Sequence, residues 1–142
     1  MDLDEIREAF QYFDSWEDKY RFVIDLGKSL PALADAKRID ANLVRGCQSQ
    51  VWLATAFDPA AGTLHLELDS DAHIVRGLIS IVLAAFDDRT PAEILAFDIE
   101  GLLAELALLS HLSLSRGNGL RAMVSRIREA ALAALAERPA AH

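Results

Sequence analysis

The chain holds a single cysteine, Cys47, among 142 residues. A lone thiol closes no internal disulfide and cannot complete a Cys₄ or Cys₂His₂ metal site. The count fits a reducing compartment. Basic residues are also scarce: 14 Lys and Arg stand against 22 Asp and Glu, for a net charge of -8. A nucleic-acid binder needs clustered cations to displace phosphate counterions. The one basic cluster, Arg116, Arg121, Arg126 and Arg128, has the spacing of the solvated side of a helix. Neither a nucleic acid nor an anionic membrane is therefore an expected partner. The most apolar stretch, Leu78 to Phe86, is far too short to cross a bilayer. The opening "MDLDEIREAF" is acidic and periodic, unlike a signal peptide. These absences predict a soluble cytoplasmic protein. With no repeat, low-complexity tract or linker, one domain over 1–142 is expected, frayed from about residue 137.

What is present is apolar periodicity. Apolar residues make up 52% of the chain, enough for a folded core. Ile6, Phe10 and Phe13 share one face of a predicted helix over Asp4 to Phe13. Trp16, Tyr20, Val23 and Leu26 do the same over Ser15 to Ser29, with Ser15 as N-cap and Pro31 beyond the end. The segment from Pro31 to Gln48 has no sustained period and reads as loop. Gln50 to Phe57 and Thr63 to Leu68 alternate as strands around the turn Asp58-Pro59-Ala60-Ala61-Gly62, predicting a hairpin with one face on a core. Asp69-Ser70-Asp71 looks like a helix cap, and Asp71 is the member expected to face outward. Ala72 to Asp87 is apolar on two sides, the mark of a central helix buried on both. Thr90 caps a short helix with Pro91 at its first position. Helices are also predicted over Ile99 to Leu109 and, after the polar connection "SHLSLSRGNG", from Asn118 to Ala136. Leu120, Met123, Val124, Ile127, Ala131 and Leu135 form the inner face of the last one. The class is α+β, a small antiparallel sheet packed by helices.

The chemistry turns on "RGCQSQVW". Cys47 reads either as a buried structural thiol or as a reactive one. Its neighbours Arg45, Gly46, Gln48 and Ser49 are not core residues. Gly46 lets the backbone turn sharply, and Arg45 is expected to lower the thiol pKa. Gln48, Ser49 and Gln50 shape the loop. Leu43, Val44 and Trp52 are available to form an apolar pocket around the sulfur. A cysteine hydrolase would need a histidine beside the thiol. Of His65, His73, His111 and His142, none has a local signature that places it there, and His111 is expected to satisfy backbone groups. A metal site has no ligand spacing to support it. Trp16, Tyr20 and Trp52 read as packing residues. Thiol exchange asks only for an accessible sulfur and a partner bearing a sulfur electrophile.

"GCQSQVW" resembles the active-site motif of SufE-like sulfur acceptor proteins. "WEDKYRFVIDLGKSLPAL", "DSDAHIVRGLI", "TPAEIL" and "HLSLSRGNGLRAM" resemble the same family in the same order, from Trp16 to Met123. Two positions depart from its commonest pattern: Gly117 for a serine and Arg76 for a lysine. The resemblance implies a fold similar to the IscU-type cluster scaffolds. It implies that Cys47 is the catalytic position, which takes the terminal sulfur from a PLP-dependent cysteine desulfurase and relays it toward an iron–sulfur scaffold complex. The PLP would belong to the partner, leaving this chain a carrier and activator with no cofactor or metal of its own, acting as a monomer or weak homodimer. Arg45, Gly46, Gln48, Asp71 and Arg116 are the expected partner contacts. A sister-type acceptor serving another sulfur pathway and an interaction domain with an inert cysteine are the competing readings.

Overall fold

Two eight-residue strands, β1 (Val51–Asp58) and β2 (Thr63–Ser70), pair antiparallel with Val51 opposite Ser70 and Asp58 opposite Thr63. The turn forms as its residues dictate. Asp58 accepts from the Gly62 amide at 2.8 Å through its carbonyl and from the Ala60 amide at 2.9 Å through Oδ1, while Gly62 takes the positive φ of 71°. Leu64, Leu66 and Leu68 are buried, as the alternation predicts. The computed structural model that carries this fold describes residues 1–137, so nearly all of the expected frayed tail lies outside the described residues. Among them are seven α-helices and two 3-10 turns, Asp35–Lys37 and Asp40–Asn42. The fold is α+β: a two-stranded antiparallel sheet packed by helices.

Helices α1 (Leu3–Tyr12) and α2 (Trp16–Lys28) begin at side-chain caps, a reciprocal Asp2–Glu5 capping box and Ser15 Oγ, which accepts from the Asp18 amide at 3.1 Å. Helix α3 (His73–Phe86) is buried on both sides, with Ile74, Leu78 and Ile81 on one and Val75, Ile79 and Phe86 on the other. It meets α2 closely. A Cβ on Gly77 would stand 2.0 Å from the Val23 carbonyl oxygen, and one on Gly27 would stand 2.7 Å from the Gly77 nitrogen, so only glycine permits this crossing. Helix α4 (Pro91–Ala96) starts at a Thr90–Glu93 capping box with Pro91 inside it.

Five expectations are corrected. Strand β2 runs through Asp69 and Ser70, so these are not helix-capping residues, and α3 starts after Ala72 with no side-chain cap. The hairpin's open end is buried on both faces because segment 30–44 folds over it; Leu43 bridges Trp52, and the Leu33 amide donates to Asp69 at 2.9 Å. The helix predicted over Ile99 to Leu109 is two, α5 (Ile99–Glu105) and α6 (Leu108–His111), broken at Ala107 with φ 55°. Leu106 and Leu108 are both buried, and residues two apart on a continuous helix face opposite ways; the break turns both inward. Helix α7 (Leu114–Glu137) begins four residues before Asn118 and takes in both glycines of the supposed connection. Ser113 Oγ accepts from the Arg116 amide at 3.3 Å and supports this start. Near the other end Ala134 is buried in place of Leu135, which is exposed.

Candidate functional site

Residues 45–50 form a loop fastened at both ends. At its base the Val44 amide donates to the Val51 carbonyl at 2.8 Å. At its far side Gln50 and Asp71 are joined twice: the Gln50 amide donates to Asp71 Oδ1 at 3.1 Å, and the Asp71 amide donates to the Gln50 carbonyl at 3.3 Å. Gly46 has the positive φ of 94° that the turn requires, and a Cβ there would stand 3.5 Å from the Ala122 side chain on α7. The loop thus lies against α7 and carries Cys47 with it.

Cys47 is half-buried, and its Sγ donates to the Gly119 carbonyl of α7 at 3.6 Å. Beside it is a cavity of about 50 Å³. Val51, Val75, Leu78, Leu120 and Met123 give it apolar walls, and Gln48, Ser49, Ser115 and Arg116 give it a polar rim. Strand β1, helix α3 and helix α7 therefore meet at one cavity beside the sulfur. Such a space accepts a few water-sized atoms.

The electrostatics differ from the expectation. Burial pushes the Cys47 thiol up from its ordinary value, and no lowering by Arg45 offsets this. Arg45 is exposed and forms no ion pair among the described residues. Burial and the bond to a helix carbonyl both favour the neutral thiol, and no cation is paired with the sulfur among the described residues. The walls are also other than expected, since Leu43, Val44 and Trp52 do not line the cavity. Trp52 is instead buried under the Arg38 guanidinium, 5.4 Å from its ring centroid.

A family model described as "SufE: Fe-S metabolism associated domain" matches residues 4–131. The chain belongs to the SufE family. A SufE-like protein of Rhizobium etli is 51% identical over 131 residues, covering 91% of this chain and 88% of that protein. A second, from Rhizobium meliloti, is 47% identical over 134 residues, covering 91% and 94%. The solution structure of a hypothetical protein from Thermus thermophilus shares the fold, with a TM-score of 0.75 at 17% identity over 95% of this chain and 96% of that one. Membership of the SufE family ties the chain to Fe–S metabolism and to sulfur transfer involving cysteine desulfurases in general.

Within this SufE-family chain the other expected site residues fall in two groups. Gln48 and Arg116 line the cavity beside Cys47. Gly46 and Asp71 shape and fasten its loop, so the Asp71 carboxylate is engaged within the chain and is not simply turned outward. Among the described residues no histidine lines the cavity. His111 Nδ1 bonds the Ala107 carbonyl at 2.9 Å, and its ring stacks on Trp16 with centroids 4.4 Å apart. His65 lies on β2 with Nδ1 3.0 Å from Asp88 Oδ1 and 3.2 Å from Asp87 Oδ1. The basic cluster does not act as one face. Arg121 pairs with Glu100, Arg126 donates to the Leu43 carbonyl and Arg128 to the Leu95 carbonyl, leaving Arg116 at the cavity rim. Among the described residues no helix is long and apolar enough to cross a membrane.

Two features escaped the sequence reading. Gly119 touches the sulfur, and its signal was the second glycine of "RGNG", which reads as a loop on composition. Arg76, noted only as a lysine replacement, joins Arg38 in holding the buried carboxylate of Asp69. Arginine's planar fork of five donors spans acceptors farther apart than a lysine ammonium can: Arg76 also donates to the Leu30 carbonyl at 2.6 Å.

Proposed function

We propose that this protein accepts sulfur from the persulfide of a PLP-dependent cysteine desulfurase on Cys47, activates that enzyme by clearing it, and relays the sulfur to iron–sulfur cluster assembly. The observation that carries the reading is the placement of the chain's one cysteine on a fastened loop at an apolar cavity. The Cys47 thiolate attacks the outer sulfur of the donor persulfide. A new S–S bond forms on Cys47, the donor's S–S bond breaks, and the donor cysteine leaves as a thiolate. The step needs no oxidant, and this chain supplies no cofactor to it.

The neutral resting thiol gives the reaction an order. The sulfur has to leave the Gly119 carbonyl and lose its proton before it attacks, and docking of the desulfurase on the exposed rim is the event proposed to cause this. Arg45, Gly46, Gln48 and Arg116 lie on or beside that rim, with Arg116 offering a charge to acids of the partner. The experiment incubates the protein with a cognate desulfurase, PLP and free cysteine, then measures the mass of Cys47. An added sulfur on Cys47, and stimulation of desulfurase turnover that Cys47→Ser abolishes while keeping its fold, are the expected results. No added mass on a folded protein would refute the reading.

A further inference from the structure

A Cβ built on Gly119 would lie 3.3 Å from the Cys47 Sγ, 3.6 Å from its Cβ and 3.7 Å from its Cα. Two residues earlier on the same helix, a Cβ on Gly117 would meet only Leu109 Cδ2, at an ordinary 3.5 Å. Glycine is unfavourable inside a helix, so helix propensity does not explain Gly119. Gly27 and Gly77 are explained by two helix backbones in close approach. What approaches Gly119 is the reactive side chain itself.

We propose that Gly119 is the positioning residue that leaves room for the second sulfur, so that the site is sized for a persulfide and not for a bare thiol. The inference rests on the sulfur-acceptor reading and deepens it. In the unloaded protein the Gly119 carbonyl holds the thiol by its proton. Once Sγ carries a second sulfur, that proton is gone and the bond is released. The outer sulfur lies about 2 Å beyond Sγ, and Gly119 lines the same cavity as the apolar side chains of Val75 and Met123. A methyl at residue 119 would take the space nearest the sulfur.

The test loads Cys47 with inorganic polysulfide, so that no desulfurase is required. The Cys47 thiolate takes a sulfane sulfur, one donor S–S bond breaks, and the shortened polysulfide leaves with the electron pair. Cyanide then removes the outer sulfur as thiocyanate and returns the Cys47 thiolate, and intact mass follows both steps. The parent, Gly119→Ala and a Gly117→Ala control are compared, together with alkylation of the unloaded thiol and thermal unfolding. Cyanolysis is expected to be roughly tenfold faster in Gly119→Ala than in the parent, and within about twofold in Gly117→Ala. Alkylation of the unloaded thiol is expected to change by less than about threefold. Equal cyanolysis in the parent and Gly119→Ala would overturn the proposal, as would a parent that takes up no sulfur. Equal acceleration of cyanolysis and alkylation would also overturn it, because alanine would then merely lift the loop. So would loss of folding in Gly119→Ala, because the glycine would then serve the core. A parent that shields its outer sulfur but takes none from a desulfurase would leave the slot standing and remove the proposed donor.

Discussion

At the scale of the residue, Cys47 is set apart by its position at the cavity and not by a neighbouring charge. Burial raises its pKa, and the neighbouring Arg45 does not reverse this. The thiolate is the nucleophile, so alkylation of the isolated protein should be slow at neutral pH. Its rate should keep climbing beyond the ordinary thiol pKa of about 8.5. Stopped-flow or quenched iodoacetamide labelling across pH checks this; a plateau at or below that value would mean that a cation does activate the sulfur. The sequence made the cysteine legible, because only one is present and its neighbours are polar. It did not reveal the sign of the pKa shift. That sign depends on how far the sulfur is buried against α7, and that helix lies far from Cys47 in the chain. Arg45 is two residues away in sequence yet exposed, and nearness in sequence was the misleading cue.

At the scale of the element, each correction has the same origin: local pattern was read where a tertiary contact decides. The hairpin, the central helix and the Thr90 and Ser15 caps were legible because they rest on periodicity and capping within a few residues. The start of α7 was not, because Gly117 and Gly119 favour a loop until something packs against them. Gly119 has Cys47 there and Gly117 has Leu109. The break at Ala107 was hidden by an apolar run that fits one helix equally well. That break strains a non-glycine residue at φ 55°, and the left-handed region costs an L-residue roughly 1–2 kcal/mol. Ala107→Gly should therefore hold or raise stability by up to about 1 kcal/mol, read from urea unfolding. A loss above that size would place the strain elsewhere. The loop of Cys47 yields a second element-scale prediction. Asp71→Ala removes the side-chain bond to the Gln50 amide at a cost of about 1 kcal/mol or less. The Gln50 amide should exchange faster with solvent, and Cys47 should be alkylated several-fold faster. Unchanged exchange at Gln50 would show that the backbone bond alone fastens the loop.

At the scale of the whole molecule, two charged groups give stability opposite dependences on pH. Partial burial alone would lower the His65 pKa, but its bond to Asp88 and the charges of Asp87, Asp88 and Glu67 outweigh that and raise it. The stabilisation from His65 is therefore complete below its unfolded pKa of about 6.5 and disappears as pH rises through the folded value. His65→Gln should lower the melting temperature more at about pH 5.5 than at about pH 8.5, and an equal drop at both would refute the ion-pair account. Asp69 behaves in the reverse sense. Its complete burial works to raise its pKa, but the amides of Leu33 and Ser70 and the guanidinium groups of Arg76 and Arg38 bring it below the usual carboxylate range. Its contribution is present above about pH 3.9 and lost as pH falls through the folded value. This one carboxylate joins three parts of the chain: the segment over the hairpin through Leu33 and Arg38, β2 through its own backbone, and α3 through Arg76. Taking it away leaves two guanidinium groups and two amides without this acceptor, and breaking a buried pair in this way costs about 3–5 kcal/mol. Asp69→Ala should lose that much in denaturant titration, with hydrogen exchange opening first across residues 31–44. Asp69→Asn should fall between the two, since its amide oxygen still accepts a bond but carries no charge. If Asp69→Ala stays within about 1 kcal/mol of the parent, the Arg38–Asp69–Arg76 group is not what holds segment 31–44, and with it the base of the Cys47 loop, in place.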